Sequence, residues 1–146
     1  MENFFDIIIV GAGAVGCAVA RELSRYKLDI ALFEKESDVA SGTSGRNSAV
    51  VHAGVNNKTG SLMAKLCVKG NLGFDKVCRE LDVPYKKTGK LVVAFDESDL
   101  KGIEKLMDAG EKNGVPGLSF IGEEEVKRLE PYVGGIGAML SPNTAI

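Results

Sequence analysis

Cysteine is scarce, with three in 146 residues, an odd number without paired spacing. That excludes the disulfide framework of small secreted folds and a cysteine-based zinc site, so no bound metal is expected. Cys17 reads as a small side chain that lets a helix pack closely. Cys67 and Cys78 lie eleven residues apart, about three helical turns, and read as small apolar core residues on one face. A reducing cytoplasm suits all three. Charge of one sign is lacking too: 18 basic against 20 acidic residues give a net charge of −2. No basic patch points to nucleic acid or to an anionic membrane surface. No apolar run is long enough to span a bilayer; residues 7–20 are uncharged but hold three glycines. The opening Met1-Glu-Asn-Phe-Phe-Asp6 is acidic, against a secretory signal. Internal repeats and low-complexity tracts are absent. What remains, 45% hydrophobic and 26% charged, is the composition of a globular protein with a real core.

The informative stretch is residues 6–34. An apolar run, Ile7-Ile-Ile-Val10, suits a parallel strand buried on both faces. Gly11-Ala-Gly13-Ala14-Val15-Gly16 follows at once, and a Pro-free, alanine-rich segment to Tyr26 reads as a helix. The three glycines serve separate physical ends. Gly11 permits the turn, Gly13 lets backbone approach a pyrophosphate, and Gly16 lets helix pack on strand. Phosphates would sit at the helix N-terminus, where unpaired N–H groups and the dipole favour anions. A second strand, Ile30 to Phe33, ends at Glu34, 18 residues beyond Gly16. An acid is expected about 20 residues on, to accept hydrogen bonds from the adenosine ribose. The bland alternatives are glycines that serve packing alone and a solvated Glu34 beside Lys35. The order strand, turn, helix, strand, acid favours a bound dinucleotide, and on these residues alone NAD and FAD rank equally.

Residues 35–61 read as a long functional loop, rich in small hydroxyl residues and glycine, with a short apolar centre at Ala49-Val50-Val51 that points to a buried piece. Its hydroxyls and N–H groups can face a phosphate-bearing ligand, and Arg46 adds a fixed charge. His52 is the only histidine. Ser61 to Asp82 reads as an amphipathic helix burying Met63, Leu66, Cys67, Gly70, Phe74, Val77, Cys78 and Leu81, ended by Pro84. Lys90 to Phe95 reads as a strand. Ser98 is placed as the cap of a helix burying Leu100, Ile103, Leu106 and Met107, closed by Gly114. Leu118 to Ile121 is a short strand, Glu123 to Leu129 a short helix stopped by Pro131, and Ile136 to Leu140 a further strand. Two parallel strands with one crossover helix leave sheet edges and faces open. The chain therefore reads as the N-terminal fragment of a longer enzyme.

Taken together, Gly11-Ala-Gly-Ala-Val-Gly16, Glu34-Lys35, Gly42-Thr-Ser-Gly-Arg-Asn-Ser-Ala-Val-Val-His-Ala-Gly54 and Gly60-Ser-Leu-Met-Ala-Lys65 resemble the FAD-dependent oxidoreductases of the D-amino-acid-oxidase superfamily. Within it the chain is most similar to the anaerobic-type glycerol-3-phosphate dehydrogenases, and next to the L-2-hydroxyglutarate oxidases. Lys87 to Phe95 and Val115 to Pro131 extend the likeness into the start of that family's substrate domain. The resemblance implies an α/β fold: an incomplete Rossmann-like FAD-binding domain with a parallel sheet over residues 1–84, and the beginning of an α+β substrate-binding domain over 85–146. It implies FAD as cofactor, with Gly11, Gly13, Ala14, Val15 and Gly16 on the pyrophosphate and Glu34 with Lys35 at the adenosine ribose. Gly42, Thr43, Ser44, Arg46, Asn47 and Ser48 would wrap the pyrophosphate and ribityl chain. His52 would approach the isoalloxazine, to orient it or move a proton, although it reads equally as a structural histidine.

The activity implied is oxidation of sn-glycerol 3-phosphate to dihydroxyacetone phosphate by hydride transfer to flavin. Electrons would pass on to a quinone, oxygen or another subunit. L-2-hydroxyglutarate is the alternative substrate, and a non-catalytic dinucleotide-binding module the alternative of another class. The family's substrate-gripping residues lie largely beyond residue 146, so this stretch alone is expected to be inactive. The expected setting is cytoplasmic or peripheral to the inner membrane, without a transmembrane segment.

Overall fold

The computed structural model describes residues 4–146, so the first half of the acidic opening, Met1 to Asn3, lies outside the described residues. The described residues form two units that divide between Ser48 and Ala49.

The first unit is one βαβ turn of chain. Strand β1 (Ile7–Val10) runs parallel to β2 (Ile30–Phe33), with Ile7 opposite Ile30 and Val10 opposite Phe33. Helix α1 (Ala14–Leu23) makes the crossover. Successive side chains of a strand point to opposite faces. Ile9 is buried, and its Cγ2 lies 3.5 Å from where a Cβ on Gly16 would sit, so the helix rests on this side of the strand. Ile8 and Val10 face the other way and are 57% and 86% exposed. The expected burial on both faces is thus met on one face only, because no second layer of helices covers the sheet among the described residues. Cys17 is exposed and not a packing residue; its Sγ donates to the Ala12 carbonyl at 3.4 Å.

The second unit has a core. Strands β3 (Lys90–Ala94), β4 (Ser119–Gly122) and β5 (Gly137–Ser141) form an antiparallel sheet in the order β3-β5-β4. Helix α3 (Glu97–Lys112) packs on the face that carries Ala94 and Met139, against which Ile103 is buried and Leu100, Leu106 and Met107 are partly buried. Helix α4 (Glu123–Leu129) contributes the buried Val126. The alternation of β and α after residue 84 therefore builds an antiparallel sheet rather than more of the parallel one. The N-cap of α3 is Asp96, not Ser98: its carboxylate accepts from the N–H groups of Ser98 and Asp99. Two acceptances by a carboxylate outweigh one by a hydroxyl, and the Ser98 hydroxyl itself donates to Asp96. Gly114, at φ +80°, closes the helix as expected.

Helix α2 (Leu62–Glu80) starts at Ser61, whose hydroxyl accepts from the Ala64 N–H. Its inward face is only partly the one expected: Cys78 is buried and Cys67 and Val77 half-buried as read, but the first turns face differently. Ala64, Val68, Asn71 and Cys78 are buried, whereas Met63 and Leu66 are 70% and 57% exposed. Small residues let the neighbouring chain approach closely. Gly54 lies so near that a Cβ there would come within 2.8 Å of Val68 Cγ2. The buried piece of the preceding loop is Ala53-Gly54-Val55 rather than Ala49 to Val51. Asn71 completes the contact, donating to the carbonyls of Asn143 at 2.8 Å and Val51 at 3.4 Å. The last residues return to this region: Val51 and Ala145 exchange two backbone hydrogen bonds, as do Lys86 and Ile146.

Candidate functional site

The glycine turn between β1 and α1 adjoins a cleft lined in part by polar side chains. Gly11 adopts φ +97°, a conformation open to glycine without steric cost, and its N–H bonds the Phe33 carbonyl at 2.7 Å. Gly16 must lack a side chain, since a Cβ there would lie 1.8 Å from the Gly11 carbonyl oxygen. Helix α1 begins without a capping side chain of its own and without an acid in its first turn. Its cap comes from 30 residues away: Ser44 Oγ accepts from the Ala14 N–H at 2.9 Å. The N–H groups of Gly13, Val15 and Gly16 have no protein acceptor among the described residues. Free donors and the positive end of the helix dipole together favour an anion there.

Glu34 closes the site from the other strand. Its Oε2 accepts from the Ala12 N–H at 2.7 Å, and its Oε1 accepts from the N–H groups of Lys35 and Glu36 at 2.8 and 3.1 Å. These bonds hold the carboxyl below the ordinary glutamate range, the Ala12 N–H contributing most and the Lys35 charge least. Lys35 itself reaches Glu36 at 3.3 Å in an exposed pair of small energetic weight.

A 3₁₀ turn at Thr43–Gly45 forms the facing wall. Asn47 stiffens it by donating Nδ2 to the carbonyls of Thr43 and Ser44 at 3.1 and 2.9 Å. Between the walls lies a cleft of about 650 Å³, at the carboxyl ends of both strands, where open α/β sheets bind ligands. Of the residues singled out from the sequence, Gly11, Gly13, Glu34, Lys35, Gly42, Thr43, Ser44 and Arg46 line it. Ala14, Val15 and Gly16 belong to the adjoining first turn of α1, and Val15 turns its side chain to solvent. Asn47 and Ser48 do not line the cleft. Val10, Phe33, Glu36, Ala40 and Ser41 also line it and escaped sequence reasoning. The signal for Val10 and Phe33 was their place at the strand ends, where an apolar side chain can flank a ring.

His52 belongs to the second unit and is exposed. With Asn56, Asn57, Lys90 and the buried Ala53 to Val55 it lines a cavity of about 50 Å³. The backbone around it is pinned rather than loose. Cys67 Sγ donates to the His52 carbonyl at 3.4 Å, and Asn113 Nδ2 donates to the carbonyls of Gly54 and Asn57 at 3.2 and 2.9 Å. Asn113, 59 residues from Gly54, carried no motif that would have marked it. Among the described residues there is no cluster of His, Cys, Asp and Glu able to hold a metal ion, and no helix long and apolar enough to cross a membrane.

Comparison with known proteins gives this geometry relatives. Residues 6–146 match the family model described as DAO, FAD dependent oxidoreductase. The chain is 50% identical over 129 residues to a glycerol 3-phosphate dehydrogenase of Caloramator mitchellensis, covering 88% of this chain and 27% of that protein. It is 43% identical over 144 residues to the mitochondrial L-2-hydroxyglutarate dehydrogenase of Homo sapiens, covering 97% of this chain and 31% of that one. Among solved structures, the FAD-bound L-alpha-glycerophosphate oxidase of Mycoplasma pneumoniae superposes with a TM-score of 0.89 at 32% identity. That match covers 99% of this chain and 39% of the oxidase. The chain thus spans about a third or less of the length of the curated relatives it matches.

Proposed function

This chain belongs to the DAO family of FAD-dependent oxidoreductases, and from that premise we propose that it is part of an enzyme oxidising sn-glycerol 3-phosphate to dihydroxyacetone phosphate. The observation that carries the cofactor is the cradle itself. Free N–H groups at the start of α1, the Ser44 hydroxyl and the Glu34 carboxylate line or adjoin one cleft. The missing side chain of Gly16, whose Cβ would strike backbone, keeps the turn tight enough for FAD to fit.

Gly13, Val15 and Gly16 would hold the pyrophosphate through their N–H groups, with Ala14 presented through Ser44. Glu34 would accept from the ribose hydroxyls beside Lys35. Gly42, Thr43, Ser44, Arg46 and Ser48 would follow the pyrophosphate and ribityl chain, with Asn47 also bracing that wall. FAD, when bound, supplies the hydride acceptor; the protein positions substrate and excludes competing reactions. His52 is proposed to orient the flavin or move the substrate proton, imidazole being the side chain suited to that exchange. The division into an FAD-binding part, 1–84, and the beginning of a substrate-binding domain, 85–146, rests on the family likeness; residues 49–84 pack with the second unit here. A cytoplasmic setting, with peripheral contact to the inner membrane, fits three free thiols. A quinone, oxygen or another subunit would take the electrons.

Glycerol 3-phosphate is preferred because the dehydrogenase of that name is 50% identical, against 43% for the human L-2-hydroxyglutarate enzyme. The second reading stands on that 43%. Full-length protein is expected to purify yellow, and glycerol 3-phosphate to bleach its flavin under anaerobic conditions while L-2-hydroxyglutarate does not. The reverse bleaching assigns the second substrate; a colourless protein that takes up NAD overturns the cofactor.

A further inference from the structure

Ala12 sits between two glycines, the residues with the widest choice of backbone conformation, yet it is 0% exposed and tied from three directions. Its N–H donates to Glu34 Oε2 at 2.7 Å. Its carbonyl accepts from the Ala40 N–H at 3.0 Å and from Cys17 Sγ at 3.4 Å. Glu34 is fixed in turn, because its second oxygen accepts from Lys35 and Glu36, the two residues that follow it. The carboxylate is therefore anchored at both ends. An ionised carboxylate has about four acceptor sites; three are taken by backbone, which leaves about one for a ligand.

We infer that Glu34 is a positioning residue for the phosphate-binding turn, in addition to its proposed contact with the ribose. Its carboxylate brackets Ala12 to the end of β2 and sets the turn in its receiving shape before any nucleotide arrives. A turn so held loses little conformational freedom on binding, which is how preorganisation raises affinity. The inference rests on the nucleotide reading above and deepens it.

The two jobs separate by changing protein and ligand together. Full-length protein stripped of flavin, as wild type and as Glu34→Gln, is titrated with FAD and with an FAD analogue lacking the adenosine 2′- and 3′-hydroxyls. Fluorescence quenching of the flavin is the readout. Glutamine keeps the shape, but its amide must turn an NH₂ toward one of the two sets of backbone donors, so the bracket opens at one end. The bracket predicts that Glu34→Gln binds the dideoxy analogue roughly tenfold more weakly than wild type, the scale of one charge-assisted hydrogen bond. Equal affinity for that analogue, with loss confined to FAD, reduces Glu34 to a ribose ligand and overturns the inference. A second measurement needs no variant: in flavin-free wild type the Ala12 amide is expected to resist hydrogen exchange, and exchange at an unstructured rate overturns the bracket. A wild type that binds neither nucleotide removes the reading beneath, a different failure from either of these.

Discussion

The two units keep their shape by different means. Among the described residues of the first, only Ile9 and Ala12 are buried, and the turn is held by backbone and carboxylate hydrogen bonds. The second buries Met139, Ala138, Ala94 and Val126 completely, and its core joins Ala94 and Met139 of the sheet to Ile103 of α3. The difference follows from what each must leave open. A turn that leaves N–H groups open cannot satisfy them internally, whereas most buried polar groups of a core are paired, as Asn71 is with the Asn143 carbonyl. Precision in the first unit comes from directional bonds, and cohesion in the second from apolar burial.

Breaking each unit by its own means is the sharpest check. The largest effect is expected from Gly16→Val: the displaced atom is the Gly11 carbonyl, which is backbone and cannot swing aside. Flavin content of the purified full-length protein should fall to background, and retention of flavin would show that the turn yields. Met139→Ala, by contrast, should leave the cradle chemistry alone and destabilise the fold by about 2–5 kcal/mol, as large-to-small core changes do. Urea unfolding measures this, and an effect under about 1 kcal/mol would contradict a close-packed core around Met139.

The smallest effect concerns pH. The Glu34 carboxyl is held below its usual range chiefly by the Ala12 N–H. A group depressed in the folded state adds stability that is complete above its unfolded value and lost as pH falls through the folded one. Acid titration of flavin-free protein should therefore show a loss below the ordinary glutamate range that Glu34→Gln lacks. Parallel curves for the two proteins would remove the contribution.

Much of this was legible from spacing. The β1-turn-α1-β2 order and the acid after β2 are local facts, because each element spans few residues and Gly11 and Gly16 are needed where they stand. The inward face of α3 and the whole of α4 followed from helical periodicity and end charges. The inner face of α2 followed only at Cys78, with Cys67 and Val77 half-buried. Its sequence holds two overlapping stripes, and apolar size favoured Met63, Leu66 and Phe74, while close approach of Gly54 and the pairing of Asn71 with Asn143 selected Ala64, Val68 and Asn71. The α3 cap moved to Asp96 because a carboxylate outcompetes a hydroxyl two residues later. Within the candidate site, the sequence reads Ser44 as a ligand-facing hydroxyl, but its capping of α1 joins residues 30 apart and has no local signature.

By itself, then, the order of residues determined a glycine turn between strand and helix, the acid after the second strand, and the periodic helices, since these depend on neighbours within a few positions. Tertiary structure alone decided which side of α2 turns inward, which hydroxyl caps α1, and that Glu34 grips Ala12. Those choices depend on which distant backbone atoms arrive within hydrogen-bond or van der Waals range, and spacing along a chain does not encode that meeting.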